Sequence, residues 1–116
     1  MLYIKNNPID CIFAIFEKYY SDVTVDIIQF DNIPEDEGYG YTHITTDGVY
    51  AIGISVDIPI ATVAEILAHE LAHVVDITRN GMPLTGEEHR KSWDDIFSHI
   101  SEVYENEVVE FINSRK

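Results

Sequence analysis

Apolar residues recur along the chain with two different periods, and the changes of period divide it into elements. Ile9, Ile12, Phe13, Phe16 and Tyr20 are spaced by three and four residues, which predicts an amphipathic helix over about 8–20. Asn7 stands at its N-cap and Pro8 at its first helical position, where a missing N–H costs nothing. Cys11 falls among its packing positions. From Asp22 to Phe30 the period shortens to two, with Val23, Val25 and Ile27 on one side, as in a strand. The acidic run Pro34-Glu35-Asp36-Glu37-Gly38 breaks it and reads as a solvated loop. Tyr39–Thr46 and Val49–Val56 then flank Asp47-Gly48, a dipeptide suited to the positive φ angles of a tight turn, so a β-hairpin is predicted.

Pro59 ends the second hairpin strand, and Thr62-Val63-Ala64-Glu65 has the form of a capping box opening a helix over about 62–79, before Asn80-Gly81. Thr85-Gly86-Glu87-Glu88 has the same form and places a third helix start near 86. Beyond it Trp93, Ile96, Phe97, Ile100, Val103, Tyr104, Val108 and Phe111 keep a helical period, as one long helix or two in series. The predicted class is α+β: an N-terminal helix, a three-stranded, mostly antiparallel sheet, then two or three helices. At 116 residues this is one domain, 1–116, with no internal repeat.

Charge narrows the partners. Seven Lys and Arg against 21 Asp and Glu leave a net charge of −14. Basic residues pair only at Arg90-Lys91 and Arg115-Lys116, so direct nucleic-acid binding is not expected and anionic membranes would repel the chain. A cation is the better partner. The single cysteine excludes an internal disulfide, and no stretch approaches the ~20 apolar residues of a membrane span. Met1–Asp10 holds no signal-like apolar segment behind a basic one, so a cytoplasmic location is expected.

Inside the second helix lies His69-Glu70-Leu71-Ala72-His73. Residues four apart on a helix share a face, so both imidazoles can converge on one metal ion, for which Zn2+ suits the donors. Glu70 beside them can accept a proton from an activated water without occupying the coordination sphere. Chance alone would produce this pattern in about two such chains per hundred, so its place on an independently predicted helix is what gives it weight. The helix is apolar nearly all round, and two imidazoles and a carboxylate buried there without partners would be costly.

A zinc site needs a third protein donor. His89, 16 residues after His73, is the first choice, because the short connection at Gly81 can fold the third helix back beside the second. Trp93, one turn further on, would bury its indole near the site. Glu87, Glu88 and Asp76 compete as ligands, Asp76 being better placed to orient an imidazole from behind. His43 and His99 read as structural or exposed.

The run His69-Glu-Leu-Ala-His73, a short connection and then His89-Arg-Lys-Ser-Trp93 resembles the SprT-like zinc metallopeptidases and related small bacterial and phage zincins. In that family the third histidine is typically followed by glycine, where this chain has Arg90, and by an aromatic residue four positions on, matched by Trp93. The resemblance covers the hairpin through about Phe97. It implies a minimal zincin with a sheet above the active-site helix, whose edge strand, here Val49–Val56, would form the rim of a cleft for an extended peptide, Gly53 permitting close approach. The DNA-linked members carry basic surfaces and some carry a zinc ribbon; this acidic chain has neither, and no role at DNA is carried over. The expected activity is hydrolysis of a peptide or protein substrate, with His69, His73 and His89 holding zinc, Glu70 as general base, and Tyr104 or Tyr41 as oxyanion donor. The alternative is a zinc-binding regulatory or interaction module that presents an acidic surface and does not turn over substrate.

Overall fold

The structure, a computed structural model, describes residues 8–45 and 47–114, with side chains as far as residue 107 except that of Glu35. Asn7, expected as a helix cap, lies outside the described residues. Among them the chain forms three α-helices and one three-stranded sheet: α1 (Pro8–Tyr19), β1 (Ile27–Asp31), β2 (Gly40–Ile44), β3 (Tyr50–Ser55), α2 (Ile60–Asn80) and α3 (Lys91–Ser114). The class is α+β. No helix among the described residues is long and apolar enough to cross a membrane.

The sheet order is β1-β3-β2, with β2 antiparallel and β1 parallel to β3. The sheet is therefore mixed, and β3 is its centre and not its rim. The hairpin signal was local and correct: Thr45 N–H donates to Val49 O, Gly48 N–H to Thr45 O, and Gly48 takes φ 80°. Where β1 would dock was not a local property. It fills the other side of β3, leaving β1 and β2 as the edges. Its paired stretch starts only at Ile27, because β3 begins at Tyr50; Asp26 makes the last contact, with N–H to Tyr50 O at 3.1 Å. Val23 and Val25 reach the core from an extended approach segment before the strand.

The core gathers Ile12 and Ile15 of α1, Ile52 and Ile54 of β3, Val63, Leu67, Leu71, Val74 and Val75 of α2, and Ile100 of α3. Helix α2 packs against the sheet, α1 and α3 together, which explains why its sequence is apolar nearly all round. Cys11 of α1 is half-buried and donates to Glu107 Oε2 across to α3; burial first, then that carboxylate, pushes its pKa up to about 11.

Neither capping box forms. At α2 the N-cap is Pro59, whose carbonyl accepts from Thr62 and Val63, so Thr62 sits inside the first turn and not at its head. At 85–88, Glu88 Oε1 accepts from Gly86 N–H, Gly86 takes φ 90°, and successive turns delay α3 to Lys91. From there α3 is continuous. The stop at Gly81 holds: it takes φ 82° and its N–H donates to Ile77 O, closing α2.

Gly53 also has a different use. A Cβ there would lie 2.2 Å from the Tyr41 ring, which crosses the outer face of the sheet so that its hydroxyl accepts from Gln29 and donates to Asp31. Tyr41 thus ties the two edge strands together over the missing side chain of the middle one. We expect Gly53→Ala to cost about 1–3 kcal/mol of stability by overpacking and to cost clearly less in a Tyr41→Ala background. Equal penalties in both backgrounds, measured by urea unfolding, would contradict this role.

Candidate metal centre

His69 and His73 lie on consecutive turns of α2, and His89 lies in the turns before α3. The three meet: their ligating atoms all fall within 4.8 Å of one another. His69 Nε2 is 3.3 Å from His73 Nε2 and 3.2 Å from His89 Nε2. Zinc–imidazole bonds of about 2.05 Å at tetrahedral angles put donor nitrogens about 3.3 Å apart. The observed spacing fits that edge. A ring nitrogen has one in-plane position, either an N–H or a lone pair, so His69 Nε2 cannot serve both neighbours well as a hydrogen-bond partner. A cation between the three rings can serve all of them. The three histidines therefore lie close enough to bind a metal ion.

Protonation favours the same outcome. Burial, then the charges of His69 and His89, push His73 down to about 4, against the opposing pull of Asp76 and Glu88. His69 is lowered by burial and by His89. Neutral imidazoles are the form that ligates. For the same reason the 3.9 Å approach of His69 Nε2 to Glu70 Oε2 is not an ion pair at neutral pH.

Glu70 is 6% exposed, and burial raises its pKa, opposed by a hydrogen bond from Thr42. Thr42 Oγ1 donates to Glu70 Oε1 at 2.8 Å, leaving Oε2 directed toward His69. The close approach that allows this needs Gly40, where a Cβ would come within 2.5 Å of Ile66 Cγ2 and 3.4 Å of Glu70 Cγ. Edge strand β2, and not β3, therefore borders the histidines.

Trp93 behaves as expected: it is buried, and its indole N–H donates to His69 O at 3.2 Å. Its ring lies 4.3 Å from His89 and 5.2 Å from His73 between centroids. Phe97, stacked on Trp93 at 5.1 Å and edge-on to His69, extends this wall.

Other candidates fall elsewhere. Asp76, expected behind an imidazole, accepts instead from Asn80, Arg90 and Ser92. Glu88 is exposed and occupied by Gly86, and neither it nor Glu87 joins the histidine cluster. Tyr41 is on the far face of the sheet from α2. Tyr104 stands about 16 Å of helix beyond Trp93 and lines a groove with Ile12, Ala61 and Ala64. Neither tyrosine is placed to meet an oxyanion at the histidines. His43 is exposed on β2, and His99 pairs with the Tyr20 hydroxyl at 2.6 Å.

Thr42, Arg90, Ser92 and Phe97 were missed as site residues. Thr42 had no linear signal, since its role depends on which strand flanks α2. Arg90 had one: a carboxylate on an apolar helix, Asp76, requires a cation, and basic residues are few. Comparison of the chain with protein-family models, curated proteins and solved structures finds no match.

Trp93 is the only tryptophan in the chain, so its emission reports on the cluster. Titrating metal-free protein with Co2+ or Ni2+ should quench most of that emission, saturating at one equivalent. His69→Ala should abolish the saturable quenching; an unchanged titration in that variant would place the metal elsewhere.

Proposed function

We propose that this protein is a zinc-dependent peptidase of minimal zincin type, hydrolysing peptide bonds with Glu70 as general base. The observation that carries the reading is the coincidence of three convergent imidazoles with a buried carboxylate that has one oxygen tied down and the other facing them. The sequence resemblance to SprT-like peptidases points the same way.

A bound zinc ion would supply a Lewis acid that polarises the scissile carbonyl and acidifies water. The chain's own residues do the rest. His69, His73 and His89 would hold the ion through three imidazole nitrogens. Glu70 Oε2 removes the proton of the attacking water and delivers it to the amine as the C–N bond breaks; a carboxyl pKa raised by burial suits both halves of that transfer. Thr42 fixes the rotamer of Glu70 during the exchange. Among the described residues the outer edge of β2 carries no strand partner, so its backbone is available to pair with an extended substrate beside the histidines.

A second reading keeps the metal without turnover, as an interaction module, and rests on the net charge of −14. Glu70→Gln separates the two. Under the peptidase reading the variant binds one zinc per chain as the wild type does, and hydrolysis of an unfolded, dye-labelled protein substrate falls by about 100-fold or more. Zinc-loaded wild type with no hydrolysis above that of Glu70→Gln, across a set of unfolded substrates, would leave the interaction reading standing.

A further inference from the structure

His69 and His73 are held by a packed helix, whereas His89 stands on an exposed turn outside any helix or strand. Something must hold that turn if the third imidazole is to stay within reach of the other two. The residue next to His89 is Arg90. Its Nε donates to Asp76 Oδ2 at 2.8 Å, and its Nη2 donates to the carbonyl of Gly81, at the end of α2. Two residues further on, the Ser92 hydroxyl donates to the other Asp76 oxygen, which also accepts from Asn80. Asp76 lies three residues after His73 on α2 and is 1% exposed.

We infer that Asp76 is a positioning residue for the third metal ligand, acting through Arg90 to set the affinity of the histidine cluster for zinc. This rests on reading the histidines as a metal centre, and it does not depend on peptidase activity. The chain closes a ring from His73 through Asp76 and Arg90 to His89, so the two ligand-bearing segments are joined one to three residues from the ligands themselves. A buried carboxylate without a cation would be strongly unfavourable, which makes the pairing with Arg90 a specific demand and not one surface option among many. Arg90 also presents two donors in a fixed fork, one to Asp76 and one to Gly81 O, and so defines the direction of the backbone at His89 as well as its distance. Without the clamp, zinc binding would have to order a mobile turn, and affinity falls by that ordering cost.

The test measures zinc dissociation constants by competition with a chelating dye. The proteins are wild type, Asp76→Asn, Arg90→Ala, His89→Ala and the double variant Asp76→Asn/His89→Ala, each with the unfolding temperature of its metal-free form. Asp76→Asn and Arg90→Ala are each expected to weaken zinc binding by about 10–100-fold, the usual effect of removing an outer support of a metal site. In the His89→Ala background, Asp76→Asn should weaken it no further. A purely structural Asp76 would lower the unfolding temperature and leave zinc affinity unchanged, or weaken it equally with and without His89; either result overturns the inference. Arg90 is partly exposed, so Arg90→Ala decides the matter alone if Asp76→Asn does not fold. Wild type that binds no zinc would overturn the metal reading itself, a result distinguishable from normal wild-type binding with indifferent variants.

Discussion

The constraint on which the site depends is the placing of two imidazoles and a carboxylate on a helix that is otherwise core. Helix α2 is surrounded by the sheet, α1 and α3, and its buried residues include Leu67, Leu71, Val74 and Val75 beside Glu70 and Asp76. Each polar group there needs a partner. Glu70 has Thr42 on β2, Asp76 has Arg90 and Ser92 ahead of and within α3, and the two histidines have each other and His89. Among the described residues, no buried side-chain nitrogen or oxygen lacks a hydrogen-bond partner. The fold around α2 can be understood as the set of elements that bring those partners in.

That dependence explains the distribution of small and aromatic residues. Gly40 lets the edge strand approach α2 closely enough for a threonine hydroxyl to reach a glutamate, and Gly53 makes room for Tyr41 to bind both edges of the sheet from outside. Trp93 and Phe97 pack against the imidazoles from the α3 side, and burial lowers the basicity of His69 and His73. A site of this kind is polar at its centre and apolar at its walls, the arrangement in which a charged ligand gains most from direct donors.

Much of this was legible in the sequence where the determining interaction is local. The α2 histidines share a face by helical spacing alone, the hairpin follows from Asp47-Gly48, and the end of α2 follows from Gly81. Capping boxes failed because their pattern is short and other local bonds compete: Pro59 already supplies the first carbonyl of α2, and Glu88 finds the Gly86 amide before it can serve a helix start. The sheet order was not legible. Whether β1 or β2 flanks α2 depends on long-range packing, and with it go the identity of the edge strand beside the histidines, the partner of Glu70 and the exclusion of Tyr41. Arg90 lay between these cases. It stood out as a departure from the glycine of the resembling family, and its meaning became visible only with Asp76 buried beneath it.

The most direct measurement is zinc X-ray absorption on protein purified without added metal or chelator, together with metal content. The account predicts near-stoichiometric zinc whose nearest shell holds three imidazole nitrogens and one further light donor at about 2.0–2.1 Å. Protein that carries no zinc and takes up none on titration, or a metal shell without imidazole scattering, would contradict it.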